Sequence, residues 1–292
     1  MQAVCQGKEW DVALCEEPDG TITGAMPYLI GRKLGMRYVL QPQLTQYCGP
    51  WYRLAEGLSE CDRLNEEERI AEVLMRQIEA LGLAYYQQNF APQITNWLPY
   101  SWKGFSQTTR YTYRIAPIAD SEQVYAGFHH RRKHEIRRCE GGVEATTEVS
   151  ALEFAQMHQR CYTANGGHDL LPESLIVRVI EAAMERRQGA LLGLKDAQGR
   201  LLAAMFAPFD DHWAYALMMA VEPDAEQKGL RAMLMWQMMR LLRDRSQGFD
   251  FEGSMHKGIE HYYRFFGANQ VPYMSIEKCN NRLFGLLLRI KR

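Results

Sequence analysis

The chain has 292 residues, 47% hydrophobic and 24% charged, with a formal net charge of -1. That length favours two domains over one core. The composition argues against a disordered chain, and the charge against a surface that is basic throughout, as in a dedicated nucleic-acid binder. The seven cysteines are scattered with no C-x-x-C pair, which argues against a disulfide framework and a structural zinc site and fits a reducing cytoplasm.

In chain order, the first twenty residues hold no apolar h-region, so no signal peptide is expected. No apolar run reaches the roughly 18–20 residues of a membrane helix. Residues 11–17 and 21–30 read as strands around the turn signal Pro18-Asp-Gly20, and 37–41 as a third. Asn65, with Glu68 three residues on, predicts a helix to Leu81, ended by Gly82. A strand at 83–87, a short helical piece near 92–98 and a strand from about 109 to 116 follow. Residues 121–140 predict one helix rich in basic side chains.

The second half repeats the order with an added lead. Residues 143–149 alternate as a strand, and Ser150-Ala-Leu-Glu153 is a capping box opening a helix toward Ala164. Pro172 starts another helix, which Gly189 ends. Strands at 190–195, 201–209 and 212–221 lead to a long helix at about 227–245. A short strand at 248–252, a helix at 256–266 and a strand at 270–277 complete the order β-α-α-β-β-β-α-β-α-β. The apolar tail at 283–292, with its basic end, predicts a last packed strand or helix. GTITGAM at 20–26 echoes GRLLAAM at 199–205, and GLAY at 82–85 echoes GFDF at 248–251, as a tandem duplication would leave. The first half lacks the leading β-α-α, which raises the expectation that Met1 falls inside a longer pattern.

That order resembles a GNAT domain. Gln41-Pro-Gln-Leu-Thr-Gln-Tyr-Cys-Gly-Pro-Trp51, Arg110-Tyr-Thr-Tyr-Arg114 with Ile136-Arg-Arg-Cys-Glu-Gly-Gly-Val143, and Phe249-Asp-Phe-Glu-Gly-Ser254 with the helix to Gly267 resemble the FemAB-like, peptidoglycan-bridge branch. The resemblance implies an α/β (α+β) fold of two tandem GNAT-like domains, each a mixed, largely antiparallel sheet flanked by helices. The halves would be 1–120 and 143–292, joined by the basic helix at 121–142. It also implies acyl transfer to an amine held between the halves. The donor would be acyl-CoA as co-substrate, or aminoacyl-tRNA, with a small molecule or cell-wall precursor as acceptor.

The segment from Val221 to Arg231 lies between a strand and a long helix, where GNAT enzymes hold the donor pyrophosphate on free backbone N–H groups. Glu226 takes the first place of the superfamily R/Q-x-x-G-x-G/A pattern and Arg231 the last, with Gly229 kept. Lys228, Gly229 and Arg231 are the donor-binding candidates, with Met219 and Val221 on the strand before them. The same residues also read as an ordinary capped helix start. Tyr263 falls on the family's Y-x-x-x-G-F tyrosine, whose phenol can protonate a leaving thiolate. Its bland reading is core packing. Alternation sends Asp250 and Glu252 to one face of their strand. Glu252 is the candidate base, and Asp250 reads as a salt-bridge or capping residue toward Lys257 or the next helix. Arg131 to Arg138 reads either as a polyanion-binding stripe or as a solvated connector helix. Gln46, Tyr47 and Trp51 are acceptor-binding candidates with Arg264, or a loop packed on its own aromatics. No histidine spacing suggests a metal. A GNAT-fold binding protein without catalysis is the other reading.

Overall fold

A computed structural model describes residues 1–5, 7–164, 166, 171–225 and 229–284. A short helix α1 (Gln2–Cys5) precedes β1 (Trp10–Glu16), β2 (Ile22–Lys33), β3 (Met36–Val39) and β4 (Trp51–Tyr52). Next come α2 (Glu60–Ala80), β5 (Tyr85–Asn89), α3 (Leu98–Trp102), β6 (Ser106–Ile115), α4 (Ser121–Gly127) and α5 (His130–Cys139). Then follow β7 (Glu144–Thr146), α6 (Ala151–Ala164), α7 (Glu173–Glu185), β8 (Gly189–Lys195), β9 (Leu201–Pro208), β10 (Trp213–Tyr215) and β11 (Met218–Val221). The last are α8 (Leu230–Leu242), β12 (Gly248–Asp250), α9 (Lys257–Arg264) and β13 (Asn269–Cys279). The architecture is α+β with mixed sheets, as the element order implied.

The chain forms two compact units, one of Met1–Arg110 with the chain from Pro272 onward, the other Tyr111–Val271. In the first, β1, β2 and β3 run antiparallel, β3 pairs β5 in parallel, and β13 pairs β5 antiparallel. Ile70, Leu74 and Ile78 lie four residues apart, so one stripe of α2 faces the sheet and packs with Val39, Tyr86 and Ile276. The helix begins earlier than predicted. Ser59, not Asn65, is its N-cap, with Oγ accepting from the Asp62 N–H at 3.1 Å. Asn65 already lies inside the first turns, where its side chain meets Cys61. The helical piece expected near 92–98 begins only at Leu98, where Pro99 suits a first turn.

The second unit holds two sheets. One is the antiparallel order β11-β9-β8-β7. In the other, β12 pairs β6 antiparallel and β10 in parallel. Methionines and leucines of α8 fill the core with Met205, Phe249, Phe251 and Phe266. The Ser150 cap is as read, with Oγ accepting from the Glu153 N–H at 3.1 Å. Arg187, at φ 56°, turns the chain after α7, and Gly189 instead opens β8, where a Cβ would crowd Ala183. The expected single helix over 121–140 is two, because Phe128 and His129 are extended between α4 and α5. The expected strand over 212–221 is also two, β10 and β11, in different sheets. The predicted helix start at 227 and the tail from 285 lie outside the described residues.

The α2 start is testable. Ser59→Ala should lower stability by about 1 kcal/mol, as loss of an N-cap does, and Asn65→Ala by less than about 0.5 kcal/mol. Urea titrations of both variants check this, and equal effects would return the cap to Asn65.

Candidate active site

In the second unit, β10 and β12 run side by side until Tyr215 pairs with Asp250. The next amide, Ala216 N–H, donates to the Asp250 carbonyl at 2.9 Å, and Leu217 N–H turns back onto Tyr215 O at 2.8 Å. Past that rung the chain leaves for β11, which pairs β9 at the edge of its sheet. The two strands therefore part beyond Asp250. On β11, Met218 and Ala220 are buried while Met219 and Val221 are half-buried, so the latter two share the more open face.

The other arm of the parting carries the acids. Asp250 is fully buried, and its Oδ2 accepts from Arg114 Nε at 2.7 Å. Thr112 Oγ1 donates to Oδ1, which also accepts the Glu252 N–H at 2.8 Å. The Arg114 guanidinium stacks 4.1 Å from the Trp213 ring centroid. Asp250 is thus both ion-paired and capping, but its cation is Arg114 on β6 rather than Lys257. The strand ends at Asp250, and Glu252 follows at φ 59° with Gly253 at φ 58°. Strict alternation stops there, and backbone geometry sets the direction of Glu252. A Cβ on Gly253 would strike the Tyr111 carbonyl oxygen, which explains glycine at that position.

Removal from water, with the Asp250 charge second, pushes the half-buried Glu252 carboxyl up to about 8. Tyr263, on α9, packs its ring 5.1 Å from Phe251. Burial and then the Glu252 charge push its phenol up to about 12, against the opposing pull of Arg231. Glu252, Tyr263 and Arg231 therefore share one electrostatic neighbourhood, joined by Tyr215, whose phenol burial raises and on which Asp250 and Glu252 act. A carboxyl and a phenol held neutral at pH 7 can exchange protons with a reacting group.

Gly229, at φ 99°, is the N-cap of α8, and a Cβ there would strike the carbonyl oxygen of Glu135 on α5. Arg231 stands exposed in the first turn of α8, while Lys228 and Glu226 lie outside the described residues. Arg264 is exposed and ion-paired to Glu260 at 2.6 Å. Glu260 also accepts from Tyr113 Oη, which accepts in turn from Gln270 Nε2 at 2.6 Å.

In the first unit, Gln46 Nε2 donates to Tyr273 Oη at 3.3 Å, and Tyr47 meets the Tyr273 ring edge-on at 5.2 Å. Trp51 is 44% exposed and lies under Arg53 at 5.4 Å. Gln46 and Tyr47 gather on Tyr273, which sequence reasoning missed. Helix α5 is not simply solvated. Arg132 is only 2% exposed and pairs with Glu135 while lying 3.7 Å from the Tyr262 ring centroid, whereas Arg131, Arg137 and Arg138 face out.

Sequence reasoning also missed roles for Thr112, Arg114, Trp213 and Tyr215. The alternation of Arg110, Thr112 and Arg114 was the available signal, since a buried aspartate needs a cation from a neighbouring strand. Among the described residues, no three His, Cys, Asp or Glu side chains gather as metal ligands would, and no helix is long and apolar enough to cross a membrane.

Residues 128–264 match the family model described as an acetyltransferase (GNAT) domain. No protein with a curated description matches it by sequence. Among solved structures, FemX is similar at TM-score 0.70 and 11% identity, over 91% of this chain and 88% of that one. L-PGS from Bacillus licheniformis is similar at TM-score 0.59 and 11% identity, over 93% and 85%. A tandem GNAT protein from the clavulanic acid biosynthesis pathway is similar at TM-score 0.52 and 10% identity, over 93% and 83%. At these identities the likeness shows the fold alone, one shared with FemX and with that tandem GNAT protein.

The raised Glu252 carboxyl sets a stability dependence. In the folded chain it keeps its proton to about pH 8, and in the unfolded chain only to about 4.5. Its contribution is full below the unfolded value and is lost as pH rises through the folded one. Glu252→Gln should approach the native chain in urea midpoint at pH 4, below the unfolded value, and exceed it at pH 9. A pH-independent difference would remove the desolvated carboxyl.

Proposed function

We propose that the chain is an N-acyltransferase that moves an acyl group from an acyl-CoA thioester to an amine. The observation carrying this is the parting of β10–β11 from β12, with Glu252 and Tyr263 in one electrostatic cluster beside it. The acetyltransferase domain match supports the same chemistry.

The acceptor reaches the site as an ammonium and gives one proton to ionised Glu252. Its nitrogen attacks the thioester carbonyl carbon, forming C–N, and the carbonyl oxygen takes the charge. Backbone N–H groups between Met219 and Val221 receive that oxyanion. When C–S breaks, Tyr263 protonates the leaving thiolate. The proton lost from the nitrogen on acylation restores the phenol, so charge and atoms balance. The donor pyrophosphate belongs at the amino end of α8, on the backbone at Gly229 with Arg231 beside it. Lys228 is assigned there on sequence grounds, as Gln46, Tyr47, Trp51 and Arg264 are to the acceptor.

A thermal-shift screen tests the donor first. Acyl-CoA at about 100 times its Kd should stabilise the fold by about 2.7 kcal/mol. Silence toward every CoA thioester with a response to charged tRNA would transfer the proposal to an aminoacyl-tRNA donor. Silence toward both would leave a binding protein without chemistry.

Turnover tests the residues, with CoA release followed by chromatography. Tyr263→Phe and Glu252→Gln should each lower kcat about 100-fold. Ionised Glu252 takes the ammonium proton, so kcat/KM should rise with pH through about 8, and Glu252→Gln should erase that limb. Full activity in Tyr263→Phe would remove the phenol from the mechanism.

A further inference from the structure

Glu252 stands in a conformation that few side chains adopt. Its φ of 59° lies in the left-handed region, it is not glycine, and it sits at the end of a strand beside the parted backbone. Such a residue persists only where its surroundings over-determine it, and here the determining contact is identifiable. Asp250 Oδ1 accepts the Glu252 N–H at 2.8 Å, closing a turn across one residue. The carboxylate is fixed by two residues of β6. Arg114 Nε holds Oδ2 at 2.7 Å, and Thr112 Oγ1 donates to Oδ1. Trp213 on β10 limits the guanidinium by stacking on it at 4.1 Å. Gly253 completes the turn by lying where a Cβ would meet the Tyr111 carbonyl. Rungs of β6, β12 and β10 thus converge on the one amide that sets the direction of the Glu252 side chain.

We propose that Asp250 is the positioning residue for Glu252: anchored by Arg114 and Thr112, it clamps the Glu252 amide in the left-handed turn and keeps the carboxyl beside the opening between β11 and β12. This rests on Glu252 acting as the proton acceptor. Asp250 has a second effect through its charge, which acts on Glu252 in the direction that favours the protonated carboxyl. The groups facing Glu252 are Asp250 with its partner Arg114, Tyr215 from β10 and Tyr263 from α9, with Arg231 of α8 acting on Tyr263. Among them Asp250 alone has both a bond to the Glu252 backbone and a like charge beside its side chain.

The test compares Asp250→Asn, Thr112→Val and Glu252→Gln with the native chain in two readouts. The first is the carbon-13 titration of the Glu252 carboxyl in glutamate-labelled protein, assigned by its disappearance in Glu252→Gln. It needs no turnover. The second is the pH profile of kcat/KM. In Asp250→Asn the carboxyl should titrate at lower pH, the ascending limb should move with it, and kcat should fall about 100-fold above the limb, as misplacement of a reacting group does. Thr112→Val, which leaves the Asp250–Arg114 pair intact, should shift both in the same direction by less. A purely structural Asp250 would lower the melting temperature and leave titration and limb in place, which overturns the proposal. Should Asp250→Asn not fold, Thr112→Val decides, and an unmoved titration there overturns it too. Full activity in Glu252→Gln would sink the base assignment, while the carboxyl titration would still judge the clamp.

Discussion

Asp250 carries its carboxylate where water does not reach, and an unpaired charge in such a place would be unfavourable by several kcal/mol. Arg114 supplies the counter-charge from β6 and Trp213 the stacking face from β10, so the ion pair is flanked by both neighbours of β12. Replacing the pair with apolar residues of equal volume would serve packing about as well. What an apolar pair would lack is the oxygen that caps the Glu252 amide. The pair is therefore best understood by what it orients.

The parting of β10 and β11 has a simple physical origin. The segment from Trp213 to Val221 forms parallel bonds with β12 at its start and antiparallel bonds with β9 at its end. Those two partners belong to different sheets, and the chain crosses from one to the other at Ala216 and Leu217. An edge row of backbone groups on β11 and a side-chain cluster beside β12 are both consequences of that one crossing. The amino end of α8 follows β11 within ten residues of sequence, and its approach to α5 leaves no room for a side chain at Gly229.

Much of the fold was legible because it is local. The Ser150 cap and the turn at Pro18-Asp-Gly20 follow from local sequence alone. The α2 start was misread because Asn65 and Glu68 imitate a capping box inside an acidic helix whose real cap is Ser59. The two-way strand at 213–221 was illegible for a different reason. Its β propensity is continuous, and only its two partners, more than ten and thirty residues away in sequence, divide it. The site was half legible. Asp250, Glu252 and Tyr263 lie on motifs, but the cation that fixes Asp250 is 136 residues away in sequence and declares itself only through pairing.

The discontinuity of the first unit bears on how the chain is made. Strand β13 pairs β5 across a gap in which the whole second unit is encoded. On a ribosome, residues 111–271 emerge before Ser275–Cys279, the part of β13 that pairs β5. The inserted unit is thus able to fold first, while β5 waits with one edge unpaired. Loop closure over such a span is entropically expensive for an open chain, but a folded insert shortens it to the distance between the insert's own ends. Synthesis order and topology together let the inserted unit fold before the first unit is complete.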